Sequence, residues 1–170
     1  MHNVNFRSFE VPANDALVAA GVVVSPADLT ALPQSHRVAS PKEFIFGGNS
    51  TFTVRSKKTW QRFTYKVTQK IDDATRERRD LFFVGVLTGS DNVGSYTYLG
   101  TISQGHYRHG LKSSIGPGAP SAVAFKWFVE NLTSSAVEVF HEGRCGRCGR
   151  KLTTPESIER GFGPECASLI

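Results

Sequence analysis

The chain is expected to form an α+β domain: a mostly antiparallel sheet of four or five strands, one principal covering helix, and a small C-terminal zinc-binding module. Three observations predict it. Thr51-Phe52-Thr53-Val54-Arg55 and Arg62-Phe63-Thr64-Tyr65-Lys66-Val67 alternate polar and apolar residues, the period of a half-buried strand. Ala122 to Leu132 is apolar enough, and long enough, for a helix that covers a sheet. All three cysteines fall in the last thirty residues, as Cys145-Gly-Arg-Cys148 and Gly163-Pro-Glu-Cys166.

A chain of 170 residues can bury the core of one main domain with small appendages. Its 39% hydrophobic and 21% charged residues suit a globular protein. No apolar run approaches the roughly 18 residues that cross a bilayer, so no membrane partner is expected. The longest run, Ala16 to Val24, follows Glu10 and Asp15, where a secretory leader would carry basic residues. An odd cysteine count at metal spacing also argues against a secreted disulfide scaffold. The expected location is therefore the cytoplasm.

Residues 1–40 read as a helical arm and linker. Asn14 or Asp15 can cap a short helix that Gly21 stops, and Ser25-Pro26 starts a second. The second has almost no basic side chains, which disfavours a DNA-reading helix-turn-helix. Residues 41–140 form the expected core domain. Its first hairpin turns at Ser56 to Gln61, with Phe52, Val54, Phe63, Tyr65 and Val67 inward and Arg55, Arg62 and Lys66 outward. Leu81 to Leu87 is almost wholly apolar, as in a strand buried on both faces or central in its sheet. Thr88 to Asn92 is a turn, Ser95 to Ile102 a strand, and Gly105 to Pro120 a loop by composition. In the helix from Ala122, capped by Ser121, Val123, Trp127, Phe128 and Leu132 are expected to face the sheet. Ala136 to Phe140 can return to it as a short strand.

Residues 141–170 form the metal module. Cys145 and Cys148 can clasp one ion from a tight turn, and Cys166 can close on it from the next loop. Thr153-Thr154-Pro155-Glu156 reads as a capped helix start, and Gly161 as its end. One structural Zn2+ is expected, but tetrahedral zinc needs a fourth ligand and the chain has no fourth cysteine. His141, four residues before Cys145, is the first candidate. Glu142, Glu156, the terminal carboxylate of Ile170 and a water molecule are alternatives.

The run from Gly143 through Cys145, Cys148, Leu152, Pro155, Ser157, Gly161, Gly163 and Pro164 to Cys166 resembles a small, uncharacterised cysteine-rich module family of bacteriophage and bacterial proteins. The resemblance covers about thirty residues. It implies a treble-clef-like or ribbon-like zinc module and a phage-type origin, hence a bacterial host cytoplasm, and no activity.

Charge points to a partner. Net charge is +5, and residues 51–79 alone carry nine Lys or Arg against three acids. Arg55, Lys57, Lys58, Trp60, Arg62 and Lys66 put cations and an indole on one hairpin, which suits phosphates and base stacking. The first expectation is a nucleic-acid-binding accessory protein. A module that binds and inhibits a host defence factor is the alternative, and a small zinc enzyme with an open metal position is the third. His106 and His109 could form an acid–base or metal pair. No phosphate loop, nucleophile elbow or metalloprotease motif is present, so no catalytic residue is assigned.

Overall fold

The computed structural model describes residues 36–170. The two helices expected before Ala39 lie outside the described residues. Pro41–Ile45 forms a short helix, α1, followed by strands β1 (Asn49–Ser56), β2 (Arg62–Ile71), β3 (Arg78–Leu87), β4 (Tyr96–Ser103) and β5 (His106–His109). The long helix α2 (Pro120–Glu130) leads to β6 (Val137–His141), and two short helices close the chain, α3 (Pro155–Arg160) and α4 (Pro164–Ala167). The strands form one six-stranded sheet in the order β5-β4-β3-β2-β1-β6, and every neighbouring pair is antiparallel.

The predicted hairpin forms in the expected register. Thr53 faces Thr64, Phe52 faces Tyr65 and Arg55 faces Arg62. Its turn closes through Ser56 N–H to Gln61 O at 2.9 Å. The Ser56 hydroxyl accepts from the Lys58 and Thr59 amides inside the turn.

The strand count exceeds the expected four or five because the stretch from Gly105 contains β5. Glycines on either side made His106–His109 look like loop. Its pairing with β4, Gly100 to His109 and Ile102 to Tyr107, supplies the hydrogen bonds that four residues cannot make alone. β3 is central but not buried on both faces. Phe82, Val84 and Val86 point into the core while Phe83 remains 42% exposed.

α2 covers the inner face with a stripe that shares only Phe128 with the expected one. Ala122, Phe125, Phe128 and Val129 are buried, whereas Val123 and Trp127 are only partly so. The cap is Ala119 rather than Ser121, with Pro120 in the first turn, where its missing N–H costs nothing. Phe125 packs on Tyr65 with ring centroids 4.7 Å apart and on Tyr107 at 5.1 Å. Tyr65 also donates its hydroxyl to Ser121 O at 2.8 Å, so the polar tip of a fully buried ring is satisfied. Burial holds that phenol well above its ordinary pKa. Each fully buried Phe in this layer contributes about 1.5–3 kcal/mol.

α1 was not expected. Phe44 and Ile45 are fully buried, and Ser50 donates its hydroxyl to Ile45 O at 3.1 Å. Phe44 is the joint between the sheet and the cysteine module, because its ring meets both His141 and Phe162.

Candidate metal centre and basic sheet face

The cysteine module is built by backbone pairing. Cys145 N–H donates to Arg150 O at 2.8 Å and Gly149 N–H to Cys145 O at 2.9 Å, closing the knuckle that carries Cys145 and Cys148. Arg144 bridges Lys151 at its base. Gly146 N–H donates to Gly161 O at 3.0 Å, and Asn49 N–H to Gly146 O at 2.8 Å, so the knuckle is tied both to the end of α3 and to the start of β1. The approach is close enough to require glycine: a Cβ on Gly146 would lie 2.9 Å from the Phe44 ring.

Thr154 caps α3, with its hydroxyl accepting from Ser157 N–H at 3.4 Å. The third residue after Thr154 is Ser157, whose hydroxyl also accepts from the Thr154 hydroxyl at 2.9 Å. Gly161 ends α3 in the left-handed region, φ 78°, as its position predicts. Gly163-Pro164 starts α4, a single helical turn rather than a bare loop, which presents Cys166.

The result brings Cys145, Cys148 and Cys166 together, with all three sulfurs within 4.8 Å of one another. Sulfurs held at about 2.3 Å from a tetrahedral ion lie about 3.8 Å apart, so a small inward adjustment is enough to bind one. Cys145 is buried, Cys166 half-buried and Cys148 exposed. For Cys145, burial opposes ionisation, but amides of Cys148, Gly163 and Arg147 directed at its sulfur more than offset it and lower its pKa. Cys166 is pushed the other way, up to about 12, by burial and by the two neighbouring thiols. Three thiols this close cannot all ionise unless a cation offsets their charge. That donor set fits a metal ion.

His141 does not join the cluster, contrary to expectation. It is 3% exposed, and both ring nitrogens are engaged. Nδ1 accepts from Gly143 N–H at 3.0 Å, which leaves Nε2 to donate to Ile158 O at 2.8 Å. The imidazole is a strut between β6 and α3. Its burial, chiefly, holds its pKa below the usual histidine value. Glu142 and Glu156 also stand outside the metal-sized group, so no fourth ligand is evident among the described residues.

The basic hairpin divides into used and unused cations. Arg55 is used: it donates through Nη2 to Glu138 at 2.7 Å, and its guanidinium lies 5.0 Å over the Trp60 ring and 4.9 Å over Phe140. Arg37 reaches the other Glu138 oxygen at 3.0 Å. These bonds hold the Glu138 carboxyl below the usual carboxylate range. Farther along, Lys70 pairs with Asp73 and Arg79 with Asp72. Lys57, Lys58, Arg62 and Lys66 enter no salt bridge among the described residues. Trp60, at the turn, is 66% exposed.

The two histidines of β5 are not brought together. Three residues apart on a strand, they point to opposite faces. His109 bonds Tyr107 Oη at 3.1 Å and Ile115 O at 2.9 Å, while His106 is exposed.

Residues 136–170 are similar to a family of unknown function (DUF6011). That span covers β6 and the cysteine module and excludes the basic hairpin. No curated protein and no solved structure matches the chain. Among the described residues, no helix is long and apolar enough to cross a membrane.

Proposed function

We propose that this chain is a phage-type accessory protein that binds nucleic acid through the β1–β2 hairpin, with one zinc ion holding its C-terminal module. The observation that carries the reading is the set Lys57, Lys58, Arg62 and Lys66: cations on one hairpin, outside every salt bridge among the described residues, beside an exposed Trp60. Unpaired cations grouped on one surface attract phosphates and release their counterions. Arg55 serves the hairpin's own structure.

Cys145, Cys148 and Cys166 would hold the zinc, which when bound neutralises their charge and cross-links the knuckle to α4. Cys145 and the Phe44–Phe162 contact then stiffen the end of the sheet where β1 begins, opposite the Ser56–Gln61 turn.

Fluorescence anisotropy with labelled DNA and RNA oligonucleotides tests the binding. Affinity is expected at low salt and falls steeply as salt rises; absence of binding at low salt refutes the reading. Elemental analysis of purified protein tests the metal, with one zinc per chain expected.

A further inference from the structure

The sheet has an outer face that the hairpin reading leaves mostly unexplained. Cross-strand register arranges it in rows. Thr68, Phe83, Thr101 and Arg108 form one row across β2 to β5. Thr51, Lys66, Gly85 and Tyr98 form the next, across β1 to β4. Phe83 sits on β3, one of the two central strands, and Tyr98 on its neighbour β4, yet they are 42% and 37% exposed. Large rings on interior strands of a sheet are normally covered, and here they stand among small residues: Gly85 on the floor and threonines on either side.

Cations flank the rings. Arg108 closes the Phe83 row. Lys66 lies in the Tyr98 row, its ammonium held 5.7 Å over the Tyr96 ring. Arg62 lies beyond it on the same strand and face. Carboxylates are few: Glu138 is occupied by Arg37 and Arg55, and Glu142, past the end of β6, is within electrostatic reach of Arg144 and Lys66.

We propose that this outer face binds single-stranded nucleic acid, with Phe83 and Tyr98 stacking on bases and Arg62, Lys66 and Arg108 holding the phosphates. The proposal rests on the nucleic-acid reading above and specifies its ligand. A duplex hides the faces of its bases inside the stack, so rings in the middle of a broad sheet would meet only its backbone. A single strand offers both a π face and a negative charge at every nucleotide, the pair of features this surface complements.

The test uses the full chain and two fluorescein-labelled probes, oligodeoxythymidine and a duplex of equal length, titrated by anisotropy at several salt concentrations. The wild type is expected to bind the single strand more tightly than the duplex. Phe83→Ala and Tyr98→Ala should each weaken single-strand binding by roughly ten-fold, within the range of one lost stacking contact. They should leave the salt slope unchanged. Phe83→Trp should restore affinity, and its indole emission should be quenched on binding. Arg62→Ala with Lys66→Ala should instead lower the single-strand salt slope by about 1.4. If the single strand is not preferred, or the ring variants bind like wild type while the charge variants weaken, stacking is overturned and the hairpin reading stands. If neither probe binds at low salt, both fall.

Discussion

Replacing His141 with alanine separates a metal ligand from a strut. The wild-type ring is 3% exposed, packs against Phe44 at a 5.5 Å centroid distance, and satisfies Gly143 N–H and Ile158 O. Alanine leaves that amide and carbonyl without their partner, at about 1–3 kcal/mol for each buried group, and opens a void beside Phe44. Part of the cost is recovered if water reaches Ile158, so a net loss of about 3 kcal/mol is expected. That is a large share of the 5–15 kcal/mol typical of a whole domain. Urea unfolding followed by tryptophan fluorescence reads the loss. Elemental analysis of the folded variant reads the metal, which should remain at the wild-type ratio. A variant that folds with wild-type stability but has lost its metal would refute this account and return His141 to the ligand set.

The same imidazole determines a pH dependence. Its pKa is lowered in the fold, so between the folded value and the ordinary value near 6.5 the unfolded chain binds more protons. The stability it contributes is full above about pH 6.5 and is lost as pH falls through the folded pKa. His141→Ala should flatten that part of the stability–pH curve.

The remaining predictions concern how far each site's effect spreads. Removing the metal with a chelator should lower the melting temperature of the β-sheet signal in circular dichroism, and not only loosen the tail, because Gly146 bonds Asn49 and Phe162 packs on Phe44; an unchanged sheet transition would contradict that coupling. Glu138→Gln should cost about 1.5–3 kcal/mol in denaturant unfolding, since it weakens charged hydrogen bonds to Arg55 and leaves Arg55 facing Arg62 with less compensation; a change within 0.5 kcal/mol or so, the usual range for surface positions, would show the pairs to be idle.

Much of the fold could be read from local signals. The period-two runs around Phe52 and Tyr65 located the first hairpin with its register, because a one-residue slip would have put Arg62 and Lys66 in the core. Gly161 announced the end of α3, since few other residues accept its left-handed backbone. A helix over 122–132 was visible, but of its buried stripe only Phe128 was. Trp127 was expected to face the sheet, whereas Phe125 does so, because its packing partners Tyr65 and Tyr107 come from strands far away in sequence. β5 was missed for a related reason: four residues carry little periodicity, and only β4 makes them a strand.

The candidate site divides the same way. Cysteine spacing and turn residues were enough to bring Cys145, Cys148 and Cys166 into one expected cluster, because short loops leave thiols little freedom. The role of His141 was not decided by its distance from Cys145 in sequence. It depended on where Ile158 O and Phe44 would lie, and those positions follow from the packing of α1 and α3 against the end of the sheet. Charge composition marked the hairpin as basic, but which cations remain unpaired depended on Glu138, brought beside Arg55 by the antiparallel pairing of β6 with β1. Residue type and spacing thus settled which groups were available. Partners distant in the chain settled which of them the fold had already consumed, since a hydrogen-bond donor or charge satisfied internally has little left to offer a ligand.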